Sequence, residues 1–127
     1  MKRVLVAEDD AATRSFLIAA LTDEGYLVSA AADGKAALDR CAEVKPDLVL
    51  LDLSMPIVDG FEFLRRRGPD CSAPVIAVSA GFRRDQLGGL PVVAFVAKPF
   101  DLRVLIAAIA QSLGSISQAQ GSSKPLN

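Results

Sequence analysis

The feature that most constrains this chain is a regular exchange between short apolar runs and longer segments whose apolar residues recur at helical spacing. Runs of the first kind occupy 4–7, 27–31, 48–51, 75–78 and 92–97. The continuous run 4–7, followed by acids, reads as a strand buried on both faces, and five apolar runs separated by helical segments have the pattern of a parallel sheet covered by helices.

The helical segments have recognisable ends. Residues 11–24 carry Phe16, Leu17, Ala20 and Leu21 on one face, with Gly25 as a stop. Asp33 is placed to cap a helix over 34–43, and Pro46 falls in the connection after it. A short helix over 59–67 turns Phe61 and Leu64 inward and places Arg65, Arg66 and Arg67 near its C-terminus, where positive charge suits the helix dipole. Gly68 and Pro69 end it. Residues 82–88 have room for one or two turns before Gly88, Gly89 and Pro91. Asp101 caps a last helix over 102–113, with Leu102, Leu105, Ile106, Ile109 and Leu113 as its apolar stripe and Gly114 as its stop. The small, polar stretch 114–127 reads as a disordered tail or a truncated linker.

Composition narrows the chemistry. The chain has 127 residues, a formal net charge of -1 from 14 basic and 15 acidic residues, and no histidine. That length supports one domain with its own core. The near balance of charge gives no general attraction to a phosphate backbone or an anionic membrane, so no direct nucleic-acid or membrane partner is expected. Without histidine there is no Ser-His-Asp triad, Cys-His pair or imidazole ligand. Cys41 and Cys71 have no metal-site or redox-motif spacing and read as ordinary thiols. No leader-like apolar core follows Met1 and no run approaches membrane-spanning length, so the expected compartment is the cytoplasm.

In an open parallel sheet, functional groups collect beyond the carboxyl ends of the strands. Here those ends carry Glu8, Asp9 and Asp10 after the first run, Asp52 after the third, Ser79 after the fourth and Lys98 after the fifth. Converging carboxylates either raise a pKa or hold a cation, and oxygen ligands without sulfur or imidazole point to Mg2+. Asp9 and Asp52 suit direct ligation, with Glu8 reaching through a water. A carboxylate held beside a lysine and a hydroxyl is equipped to attack phosphorus. Singly, each residue has a plainer reading: Asp10 as a helix cap, Ser79 as a turn residue, Lys98 as a solvated charge. The combination is what points to phosphoryl transfer onto aspartate.

VLVAEDD at 4–10, DLVLLDLSMPIVDG at 47–60, PVIAVSA at 74–80 and FVAKPF at 95–100 resemble, in order and spacing, the receiver domains of two-component response regulators. The resemblance covers 2–113. It implies a flavodoxin-like α/β fold, doubly wound, with five parallel strands in the order 2-1-3-4-5. It also implies that Asp52 is the phosphoacceptor, Asp9 a direct Mg2+ ligand, Glu8 a ligand through water and Ser54 a ligand through its backbone carbonyl. Ser79 and Lys98 would bind the phosphoryl group, Ser79 and Phe95 would act as switch residues, and the Lys98-Pro99 bond would be cis. The implied phosphodonor is a histidine kinase or a histidine phosphotransfer protein, with a downstream protein as listener. The chain would be a monomeric signalling domain rather than a metabolic enzyme, catalysing only its own phosphorylation and dephosphorylation. Phe95 reads equally as a plain core aromatic.

The sequence departs from the family between Ser79 and Lys98. GGLPVVAF stands where a longer fourth helix is usual, so a short or irregular fourth helix is expected, with dimerisation through that face weakened or absent. Ser54 and Gly81 stand at positions that, by the resemblance, tune the lifetime of the acyl phosphate, and both are too small to hold a hydrolytic water as a carboxamide or carboxylate would, which predicts slow or moderate dephosphorylation. A phosphatase of the aspartate-nucleophile class would need a second aspartate at position 54. A flavodoxin would need hydroxyls where this chain has acids after the first strand. The remaining alternative is a receiver-like interaction module that works without phosphorylation. The receiver takes residues 1–113, which leaves no length on this chain for an output domain.

Overall fold

A computed structural model describes residues 1–81 and 84–121. Five parallel strands, β1 (Arg3–Ala7), β2 (Leu27–Ala31), β3 (Leu48–Asp52), β4 (Val75–Ser79) and β5 (Ala94–Ala97), lie in the order β2-β1-β3-β4-β5. Four α-helices, α1 (Ala11–Asp23), α2 (Gly34–Val44), α3 (Gly60–Arg66) and α4 (Leu102–Gly121), and one 3-10 turn, Arg84–Leu87, complete the described elements. This is the doubly wound flavodoxin-like arrangement expected from the sequence.

The apolar strands divide their side chains by parity, because successive residues point to opposite faces. Val4 and Val6, Leu48 and Leu50, and Ile76 and Val78 pack with Leu17 and Leu21 of α1 and Leu105, Ile109 and Leu113 of α4. Leu5 and Ala7, Val49 and Leu51, and Val75 and Ala77 pack on the other face with Ala37 and Cys41 of α2 and Phe63 and Leu64 of α3. Right-handed crossovers explain the allocation. The chain moves from β1 outward to β2 through α1, then reverses and travels through α2, α3 and the 3-10 turn toward β5. Reversal of direction puts α1 on one face and the next connections on the other. The reversal lies between β1 and β3, whose carboxyl ends therefore open onto a crevice.

Helix starts follow local chemistry. The carboxylates of Asp10, Asp33 and Asp59 accept the backbone N–H groups of Thr13, Ala36 and Glu62 at 2.9, 2.8 and 2.9 Å, which satisfies amides left free at a helix N-terminus. Asp101 likewise accepts from the Arg103 amide at 2.9 Å. The fourth crossover is reduced to the four-residue 3-10 turn, in line with its expected truncation. Residues 82 and 83 of that segment lie outside the described residues.

Four expectations are corrected. The last helix runs through Gly114 to Gly121, because a glycine ends a helix where it turns to positive φ, and Gly114 does not. Its place in the helix costs about 1 kcal/mol relative to alanine and no more. The rest of the expected tail, 122–127, lies outside the described residues. Phe16 is 51% exposed while Leu17 and Leu21 are buried, so α1 presents the 17/21 ridge to the sheet rather than both ridges. β5 begins at Ala94, not at 92; Val93 still donates its N–H to the Val75 carbonyl at 2.8 Å but is 53% exposed. Finally, Cys41 and Cys71 are not free thiols. They form a disulfide with a Cα–Cα distance of 5.3 Å. Their separation of 30 residues carries no motif; the docking of α2 against the loop before β4 brings them together.

Candidate functional site

Glu8, Asp52, Ser79 and Lys98 each stand at the carboxyl end of a central or neighbouring strand, where the parallel register sets them on one rim. β1 aligns Ala7 with Leu51, β3 aligns Asp52 with Val78, and β4 aligns Ser79 with Ala97. Carboxylate oxygens of Glu8, Asp9 and Asp52 come within 4.8 Å of one another. Glu8 and Asp52 are buried and Asp9 is exposed at the mouth. Lys98 reaches across with its Nζ 2.7 Å from Glu8 Oε1 and 3.4 Å from Asp52 Oδ2.

Local backbone geometry fixes these groups. Asp52 Oδ1 accepts the Ser54 amide at 3.0 Å, which aims the carboxylate back over its own loop. Glu8 Oε2 accepts the Asp10 amide at 3.1 Å. The cis Lys98-Pro99 bond, as the resemblance implied, turns the chain immediately after β5. The Lys98 amide donates to the Ser79 carbonyl at 3.0 Å. Ser79 is buried, and its hydroxyl donates to the Ala80 carbonyl at 3.2 Å. Ser54 is exposed beside Asp52. Phe95 is not on this rim: it lies half-buried against the α2–α3 cluster.

The electrostatics follow from burial and crowding. Burial pushes the Asp52 carboxyl up to about 6, helped by the adjacent Glu8 and opposed by the Ser54 amide and Lys98. Burial pulls Lys98 down, but its bond to Glu8 and the negative charge of Asp52 outweigh that and hold it above its ordinary value. Asp10 is held below the usual carboxylate range by the Thr13 hydroxyl and amide, the mark of a cap rather than a site residue. Three carboxylates converge where Lys98 bonds Glu8 and Asp52, so the site carries an excess of negative charge directed at one point. An all-oxygen donor set with surplus charge fits a hard divalent cation.

Sequence reasoning did not single out Arg14. Its guanidinium donates to the backbone carbonyls of Glu8 at 2.9 Å and Asp9 at 3.3 Å, tying the acidic loop to α1. A signal was available: a cation in the first turns of a helix opposes the dipole, and that cost calls for a compensating contact. Gly34 and Gly60 were also passed over as site supports. A Cβ on Gly34 would lie 1.8 Å from the Val58 carbonyl oxygen, and one on Gly60 would lie 2.6 Å from Leu53 Cα. Both glycines let helix N-termini close on the loop 53–59 that follows Asp52. Beside the acids, Thr13, Phe16, Ala80, Lys98, Pro99 and Phe100 line an apolar cleft of about 550 Å³.

A family model for the response regulator receiver domain matches residues 4–110, so the chain belongs to that family. Response regulator ArlR of Staphylococcus epidermidis is 35% identical over 112 residues, covering 86% of this chain and 51% of that protein. Transcriptional regulatory protein PdtaR of Mycobacterium tuberculosis is 37% identical over 112 residues, covering 85% of this chain and 55% of its own length. The chain thus spans about half the length of these curated relatives. The crystal structure of a CheY-like response regulator receiver domain protein from Methanospirillum hungatei superposes with a TM-score of 0.86 at 25% identity, covering 95% of this chain and 99% of that one.

Proposed function

We propose that the domain is a phosphoacceptor switch that takes a phosphoryl group onto Asp52 from a phosphohistidine on a histidine kinase or histidine phosphotransfer protein. The observation that carries this is the placement of one buried carboxylate, Asp52, with Lys98 Nζ 3.4 Å from Oδ2 and two further acids within 4.8 Å. Asp9 and Asp52 would ligate Mg2+ directly, with Glu8 through water and Ser54 through its carbonyl. When bound, the ion would neutralise the carboxylates and the incoming phosphoryl oxygens.

The chain's own residues account for the remaining steps. The Ser54 amide occupies Oδ1 and leaves Oδ2, on the Lys98 side, as the attacking oxygen. An Oδ2–P bond forms as the P–N bond to the donor imidazole breaks, and the imidazole leaves with that electron pair and takes a proton from water. Lys98 releases Glu8 and Asp52 in part to pair with a phosphoryl oxygen. The Ser79 hydroxyl turns from the Ala80 carbonyl to donate to another, drawing the loop after β4 toward the site. That movement opens space for Phe95 and shifts a pre-existing equilibrium toward the active form. The output is a change of surface read by a downstream protein, not a released product, so the domain acts as a signal carrier and its chemistry is confined to its own phosphorylation and dephosphorylation. The chain works as a cytoplasmic monomer without touching nucleic acid itself.

The test is incubation with Mg2+ and acetyl phosphate followed by intact mass. One phosphoryl adduct is expected on the wild type and none on Asp52→Asn. No wild-type adduct would favour an interaction module that works without phosphorylation, and an adduct surviving Asp52→Asn would remove Asp52 as acceptor.

A further inference from the structure

The disulfide lies outside the phosphoacceptor site, yet it is mechanically continuous with it. Cys41 is fully buried in the last turns of α2, and Cys71 is 4% exposed in the loop leading to β4. The bond therefore anchors the C-terminal end of α2. The N-terminal end of the same helix abuts the loop after Asp52, with the Gly34 Cα so close to the Val58 carbonyl that a Cβ has no room. α2 is thus held at both ends, by a covalent bond at one and by backbone contact with the 53–59 loop at the other. That loop contains Ser54 and is itself fixed by the Gly60 amide donating to the Leu53 carbonyl at 3.1 Å. The closed covalent loop from 41 to 71 encloses β3, Asp52 and α3.

We propose that Cys41 and Cys71 form a redox site whose state sets the rigidity of the 53–59 loop. Its co-reactant class is a low-molecular-weight thiol and disulfide couple. In oxidation, both cysteine S–H bonds are given up and one S–S bond forms between Cys41 and Cys71. The S–S bond of the small disulfide breaks, and its two sulfurs receive the two protons and two electrons as thiols. The two cysteine Cα atoms sit 5.3 Å apart in the folded core, within the range that a disulfide spans without backbone movement. Both cysteines lie in the packed core, so on this proposal the dithiol keeps the same sheet and helices and differs in how firmly α2 is tied. In the disulfide form α2 cannot slide away from the loop before β4, so its first turn keeps the Val58 carbonyl in place. In the dithiol form only packing does so. A firmer loop presents the Ser54 carbonyl to a cation with less ordering cost, a consequence that rests on the Mg2+ reading above.

The experiment equilibrates the full chain in oxidising or reducing glutathione buffer. It then reads alkylation of the acid-quenched, unfolded chain by intact mass, amide hydrogen exchange over residues 53–60, and Mg2+ binding by calorimetry. The oxidised chain is expected to take no alkyl group and to exchange these amides about fivefold more slowly than the dithiol, the lower end of coupling between two sites. It should also bind Mg2+ tighter by a similar factor. The double variant Cys41→Ala, Cys71→Ala should behave as the dithiol in both buffers, which ties the response to this pair. A stable glutathione adduct in place of the disulfide, equal exchange in the two states, or a redox response retained by the double variant would each overturn the proposal. A redox difference in exchange without Mg2+ binding in either state would remove the metal reading and leave the redox site standing.

Discussion

Replacing Asp52 by asparagine should make the metal-free domain more stable, by an amount that grows between about pH 4 and pH 6 and is constant above. In the fold its carboxyl titrates near 6 against an ordinary 3.8, because it is buried beside Glu8. At 1.36 kcal/mol per pH unit that rise corresponds to about 3 kcal/mol of penalty for keeping the charged form in place. Water at the open mouth of the site screens part of it, so about 1–2 kcal/mol is the expected gain. The sign follows from proton binding. Between about pH 4 and pH 6 the folded chain holds a proton that the unfolded chain has released, so wild-type stability falls as pH rises through that window and levels off above it. Asparagine keeps the oxygen that accepts the Ser54 amide, keeps the side-chain volume and carries no charge. The difference between variant and wild type should therefore be near zero at pH 4 and fully developed at pH 7. Urea denaturation of both proteins in EDTA, at intervals across that range, measures it. A difference that is the same at pH 4 and pH 7, or a variant less stable than wild type at pH 7, would refute burial of an uncompensated carboxylate as the state of this site. Adding Mg2+ should reverse the order, since the wild type gains binding energy that the variant lacks.

Gly34→Ala should destabilise the domain by about 3 kcal/mol, the upper end for overpacking, because its Cβ would meet the Val58 carbonyl oxygen; thermal denaturation showing a neutral or stabilising effect would contradict the tight seat of α2. Ile57→Gly should raise stability by about 0.5–1 kcal/mol in the same assay, since Ile57 is β-branched at φ +68° and 79% exposed, so glycine relieves strain with little lost packing. Arg14→Ala should weaken Mg2+ binding by about tenfold and speed amide exchange at residues 8–10, because the carbonyls of Glu8 and Asp9 lose their donor. Arg14→Lys should restore part of the affinity; an unchanged calorimetric titration for Arg14→Ala would dismiss it as a positioning residue. With small residues, Ser54 and Gly81, at the positions expected to tune its lifetime, the acyl phosphate should decay slowly to moderately, and the phosphorylated chain should elute from gel filtration as a monomer. Rapid decay or a phosphorylation-dependent dimer would contradict these two expectations.

The sequence by itself determined the strands, their parallel arrangement and the acidic rim. An unbroken run such as 48–51 has no polar residue to offer solvent and must be covered on both faces, and Asp52 at its end has no turn chemistry to explain it. The caps Asp10, Asp33, Asp59 and Asp101 act within three residues of their own positions, so local pattern was sufficient for the three that were read as caps, and Asp59 followed the same chemistry. Three things were decided only by the tertiary structure. Which ridge of α1 faces the sheet depends on how the helix lies across β1 and β2, and Phe16 and Leu17 are equivalent until it does. Arg14 finds the Glu8 and Asp9 carbonyls because the acidic loop folds back over the first turn of α1. Cys41 and Cys71 meet because β3, α3 and their loops return the chain to α2, and a contact made through such a return leaves no periodic trace in the residues between.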